Sequence, residues 1–200
     1  MAILESRVIH NIIDELPKGN CESAIRDVDA VDWVVVHQTD SKCKGDQHPF
    51  DTAAYHVGKG WCGIGYHIFI TEDGKIFQTR NLKHASAHAK GYNTRSIGVT
   101  MCGDWRVQSG VKNEDLTASK QQYKALVWTL AHLQMKYPNI KEIKSHAELA
   151  PSRRSDPNLH MDTLINDVKK KRLTMLIVKW GFLALLAIFI IELGKKVLYI

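Results

Sequence analysis

The stretch YHIFITEDGKIFQT, residues 66–79, decides the fold class. Two β-rich runs, YHIFI (66–70) and KIFQT (75–79), flank Thr71-Glu72-Asp73-Gly74. An Asp-Gly pair between such runs predicts a hairpin, because glycine tolerates the positive φ that a tight turn needs. Upstream, WVVVH (33–37) is a β-branched run of the kind that forms a buried strand. Between it and the hairpin, residues 51–59 suit a short helix ended by Gly58 or Gly60. Downstream, SIGVTMC (96–102) reads as another strand and 140–144 as a short one. The clearest helix lies at 118–136, with Thr117 as its cap and Pro138 closing it. Within it Tyr123, Leu126, Val127, Leu130 and Leu133 fall on one face. Strands interleaved with helices predict an α/β fold, a small mixed β-sheet flanked by helices.

At 200 residues the chain has room for one domain and an appendage. The net charge of +6 is not spread over it: residues 169–200 carry seven basic side chains against Glu192, which leaves 1–168 formally neutral. A domain-wide electrostatic footprint for nucleic acid is absent, and no nucleic-acid partner is expected. The four cysteines, Cys21, Cys43, Cys62 and Cys102, form no CxxC pair and allow three disulfide connectivities, among which spacing does not choose. The N-terminus lacks the charged start, apolar core and cleavage site of a secretory signal, so synthesis into the cytosol with free thiols is expected.

The C-terminal tail differs in kind. LTMLIVKWGFLALLAIFII (173–191) is nineteen residues long with one charge, Lys179. As a helix it would span roughly 28 Å, close to the ~30 Å hydrocarbon core of a bilayer. A transmembrane helix anchoring the chain to a membrane is expected, preceded by the basic cluster Lys169-Lys170-Lys171-Arg172. The alternative is an apolar helix packed on the domain or lying at an interface.

Three residues carry candidate metal chemistry. His37 ends the strand WVVVH, His146 lies in SHAELAPSRRSDP (145–157), and Asp156 follows it by ten residues. Two imidazoles and a carboxylate suit zinc, and a catalytic site keeps a fourth position for water. With ten histidines in the chain, spacing alone does not separate ligands from core residues.

WVVVHQTD, GIGYHIFITEDGKIFQTR, HAKGYNTRSIGV and SHAELAPSRRSDP occur in this order over roughly residues 30–165. Together they resemble the type 2 N-acetylmuramoyl-L-alanine amidases, a family that includes phage endolysins and peptidoglycan recognition proteins. The resemblance implies a zinc amidase domain over 1–168, with 169–200 as basic cluster and anchor. It places zinc ligands on His37, His146 and Asp156; some phage members have Cys at the third position. It places a tyrosine that assists catalysis on Tyr66, otherwise readable as a core residue, and a catalytic Lys or Arg on Arg154. His88 and Asn93, in HAKGYN, become candidate contacts to peptide or sugar, while His67 should face away from Tyr66 as a structural residue. Where bacterial cytosolic members carry a catalytic Glu in SIGxE, this chain has Thr100, which sides it with the endolysins and leaves the general base open.

The implied reaction is zinc-dependent hydrolysis of the amide between N-acetylmuramic acid and L-alanine in peptidoglycan, by a phage endolysin or a virion-associated lysin. The expected location is a host or virion membrane. Two other classes compete: a peptidoglycan binder that does not cut, and a regulator that grips another protein. Filled ligand positions favour the enzyme.

Overall fold

A computed structural model describes residues 7–106, 117–153 and 155–197, the last thirteen of these and Arg153 by their backbone. Six strands form one mixed sheet: β1 (Ile9–Asn11), β2 (Trp33–Gln38), β3 (Ile68–Ile70), β4 (Ile76–Gln78), β5 (Ser96–Met101) and β6 (Glu142–Ser145), in the order β1-β4-β3-β5-β2-β6. The hairpin forms as the Asp-Gly pair predicts. β3 and β4 pair antiparallel, Gly74 has φ +84°, and Thr71 N–H donates to Lys75 O at 3.1 Å. The other pairings are parallel, and β2 lies between β5 and β6.

Helices α1 (His48–Gly58), α2 (Lys120–Lys136), the one-turn α3 (His146–Leu149) and α4 (Met161–Val197) complete the fold. Period-2 alternation sorts the strand residues onto two faces. Val34, Val36, Ile68, Ile70, Ile97, Val99, Met101 and Ile143 pack against Leu126, Leu130 and Leu133 of α2 and against Leu164 and Val168 of α4. Each such side chain contributes roughly 1.5–3 kcal/mol by leaving water. On the opposite face a smaller cluster joins Phe69 and Phe77 to Ala53, Ile64, Ile12 and Leu16. The fully buried Gln122 docks α2 on the sheet, its amide donating to Ile70 O at 3.0 Å and Cys102 O at 2.9 Å. The cap of α2 is Ser119, whose Oγ accepts from Gln122 N–H at 3.1 Å, two residues beyond the expected Thr117.

Two expectations are overturned. The cysteines are paired, Cys21 with Cys62 and Cys43 with Cys102, and no cysteine is free. The partners are 41 and 59 residues apart in sequence, yet the fold brings their Cα atoms to 4.9 and 5.2 Å, within disulfide reach. The membrane anchor fails as well: among the described residues, no helix is long and apolar enough to cross a membrane. With it go the membrane location and the membrane partner. The apolar run belongs to α4, whose first turns are domain structure. There Leu164 and Val168 are fully buried, Tyr123 Oη donates to Asp167 at 3.0 Å, and Arg172 donates to Gln134 at 3.3 Å. The basic cluster and Lys179 then keep its described part charged. Side chains 185–191 of that run lie outside the described residues.

Candidate active site

Parallel register builds the site. Val36 pairs with Ser145, so β2 and β6 deliver His37 and His146 at the same level of adjacent strand ends. Their rings lie 4.5 Å apart, centroid to centroid. His146 opens α3, which is held by a capping box: Ser145 Oγ accepts from Glu148 N–H, and the Glu148 carboxylate accepts from Ser145 N–H. The loop after α3 returns Asp156 to the strand ends, where its backbone carbonyl accepts from Ala147 N–H at 2.8 Å.

The Asp156 carboxylate is the hub. Oδ1 accepts from Gln38 N–H at 2.9 Å, while Oδ2 lies 2.7 Å from His146 Nδ1 and 3.7 Å from His37 Nδ1. Burial alone would push this carboxyl up; the bond from His146, the neighbouring His37 ring and the Gln38 amide outweigh it and hold the group well below the usual carboxylate range. One donor atom from each of His37, His146 and Asp156 lies within 4.8 Å of the others. Two imidazoles and an ionised carboxylate converging in this way fit the donor set of a catalytic zinc site. Cys43, His48 and Cys102 also cluster, but both sulfurs are spent in a disulfide and offer no thiolate.

His146 and Asp156 open onto a cavity of about 550 Å³, with the buried His37 directly behind them. Tyr66 lines it with its ring 5.2 Å from that of His37. Tyr55 and Trp61 add aromatic surface, and Lys42, Lys44, Lys59 and Arg106 add positive charge. Thr100 is fully buried in register with His37, and its Oγ1 has no hydrogen-bond partner among the described residues.

The remaining expected residues fall in different places. Arg154 lies outside the described residues. His88 is buried, its Nδ1 3.0 Å from His37 Nε2, and burial beside His37 and His67 pushes its pKa well below that of a free imidazole. Asn93 does not line the cavity; its Oδ1 accepts from His88 N–H at 3.1 Å and Ala89 N–H at 2.8 Å. His67, fully buried behind His88 and pushed down to about 3 by burial, accepts from Gly98 N–H at Nδ1. Arg26 was not anticipated, because an isolated Arg in a loop carries no pattern. It is buried and donates to the carbonyls of Leu82, Asn93, Thr94 and Ser96, which pins the segment that carries His88. Burial lowers its pKa to about 10.

Comparison with known proteins agrees with this architecture. The family model of N-acetylmuramoyl-L-alanine amidases (Amidase_2) matches residues 27–159. The endolysin of Enterobacteria phage K11 is 31% identical over 116 residues, 58% of this chain and 74% of that protein. The endolysin of Escherichia phage T7 is 29% identical over 123 residues, 62% of this chain and 79% of that protein. Among solved structures, the N-acetylmuramoyl-L-alanine amidase LysC from Clostridium intestinale URNW shares the fold, with a TM-score of 0.65 at 22% identity over 82% of this chain and 99% of that one. With two thirds of its length matched by the family model and its strand ends assembled into one buried histidine–carboxylate site, this chain belongs to the N-acetylmuramoyl-L-alanine amidase family.

Proposed function

We propose that the protein is a zinc-dependent endolysin-type amidase that hydrolyses the amide between N-acetylmuramic acid and L-alanine in peptidoglycan. What carries this reading is the convergence of His37 Nδ1, His146 Nδ1 and Asp156 Oδ2 at a cavity of about 550 Å³. His37, His146 and Asp156 hold the metal. A bound zinc supplies a water whose pKa falls toward ~7 and a Lewis acid for the scissile carbonyl. Asp156 adds the negative charge that makes the set selective for a cation, and the Gln38 amide keeps that charge in place. The Tyr66 hydroxyl, on the cavity wall beside His37, donates to the oxyanion that develops on the carbonyl; the family resemblance assigns Arg154, which lies outside the described residues, to the same task. Lys42, Lys44, Lys59 and Arg106 complement the carboxylates of the peptide stem, while Tyr55 and Trp61 present flat faces to the sugar.

The test combines metal analysis with product analysis. The purified protein should contain about one zinc, and chelation should stop wall digestion. Mass spectrometry of digested muropeptides should find free N-acetylmuramic acid ends and stems beginning at L-alanine. Undiminished digestion by a metal-free preparation, or products that keep the lactyl amide, would overturn the proposal.

A further inference from the structure

His88 lies beneath His37 on the side away from Asp156 and His146. It lines the cavity floor, yet both of its ring nitrogens face protein. Nδ1 is 3.0 Å from His37 Nε2, and Nε2 is 3.1 Å from Ser96 Oγ and 3.4 Å from Ser96 O. We infer that His88 is a positioning residue that holds His37 in the one tautomer able to ligate metal through Nδ1. This inference rests on the proposed ligand set of His37, His146 and Asp156.

Donor and acceptor matching leads to it. Ser96 Oγ spends its proton on Tyr92 O at 2.7 Å, so toward His88 it can only accept. The Ser96 carbonyl, which also faces Nε2, can only accept as well. His88 therefore carries its proton on Nε2, and as a buried neutral imidazole it has a bare lone pair on Nδ1. That lone pair accepts from His37 Nε2–H. With its proton held at Nε2, His37 presents an unprotonated Nδ1 toward Asp156 and His146, as a ligand must. The chain runs His37 Nε2–H to His88 Nδ1, His88 Nε2–H to Ser96 Oγ, and Ser96 Oγ–H to Tyr92 O.

The surroundings are built to seat this ring. A Cβ on Gly98 would come within 2.6 Å of His88 Cγ, so β5 lacks a side chain where the imidazole lies on it. Asn93 Oδ1 ties down the backbone amides of His88 and Ala89, and Arg26 pins the carbonyls of Asn93, Thr94 and Ser96.

The experiment measures zinc affinity of the full chain by competition with a chromophoric chelator, together with the imidazole ¹⁵N shifts of His37. His88→Phe keeps a ring and removes both nitrogens, and with them the Nδ1 acceptor that faces His37 Nε2. It should weaken zinc binding by about 10–100-fold, the usual effect of losing a partner behind a ligating histidine. His88→Asn, whose Oδ1 can replace Nδ1 as acceptor, should recover most of that loss. Wild-type His37 should show the Nε2–H tautomer before and after zinc is added. Wild-type affinity in a folded His88→Phe protein, or an Nδ1–H tautomer of His37 in zinc-loaded wild type, would overturn the inference; the second measurement needs no variant to fold. Failure of the ligand set looks different, because then wild type takes up no zinc or His37→Ala still binds it.

Discussion

Replacing Asp156 by Asn separates a metal ligand from a structural acid. The residue is 5% exposed, and its carboxylate accepts from Gln38 N–H at 2.9 Å and from His146 Nδ1 at 2.7 Å. The amide keeps an oxygen for Gln38 and presents an NH₂ to His146, which can answer by moving its proton to Nε2. Both hydrogen bonds survive in neutral form. Bonds to a charged acceptor contribute about 1.5–3 kcal/mol and neutral ones about 0.5–1.5. Two downgraded bonds, partly offset by no longer burying a charge, leave a net loss of about 1–2 kcal/mol in the metal-free protein. For a chain of this size that lowers Tm by roughly 2–8 °C. Zinc binding responds differently, since an amide is a poor substitute for a carboxylate ligand. At a thousandfold excess over Kd, zinc should stabilise the wild type by about 4 kcal/mol, whereas at the same concentration the variant should gain less than about 1 kcal/mol. Scanning calorimetry of chelator-treated protein, with and without added zinc, reads both effects. An equal zinc-induced rise in both proteins would refute Asp156 as a ligand. A metal-free variant that loses more than about 4 kcal/mol would show instead that the carboxylate holds the strand ends together.

Tyr66→Phe retains the ring beside His37 and removes the hydroxyl; kcat on muropeptides should fall on the order of 10²–10³-fold, the loss typical of one oxyanion donor, with zinc content and Tm unchanged. An unaltered kcat would return Tyr66 to a packing role. The Cys21–Cys62 bridge closes a 41-residue span, so the double Cys→Ser variant should lose about 4 kcal/mol by loop-closure entropy, read as a shifted midpoint in chemical denaturation. Stability equal to the wild type would mean that the bridge does not constrain the unfolded chain.

Local chemistry was legible in the sequence. Asp73-Gly74 specified the hairpin, the β-branched run before His37 specified a buried strand, and the apolar spacing from Tyr123 to Leu133 specified the buried face of α2. Each is a property of residues a few positions apart, where turn geometry and side-chain period act directly. Motif resemblance added His37, His146 and Asp156, which the fold brings together. The capping-box pattern Ser145-His146-Ala147-Glu148 also stands in the sequence, with Ser145 and Glu148 at the spacing that marks the start of α3.

Tertiary structure decided the rest. Only parallel register, with Val36 beside Ser145, sets His37 and His146 at one level, and nothing within either segment encodes that offset. The cysteine pairs form across 41 and 59 residues because chain return, not spacing, brings their Cα atoms together. The apolar run from Leu173 passed for a membrane segment because hydropathy is read along the chain; in the fold it continues α4, whose preceding turns bury Leu164 and Val168 in the core, and among the described residues no helix is long and apolar enough to cross a membrane. His88 lines the cavity as a cleft residue should, but the seat of its ring is tertiary: a glycine 10 residues further on, Gly98, makes the space for it.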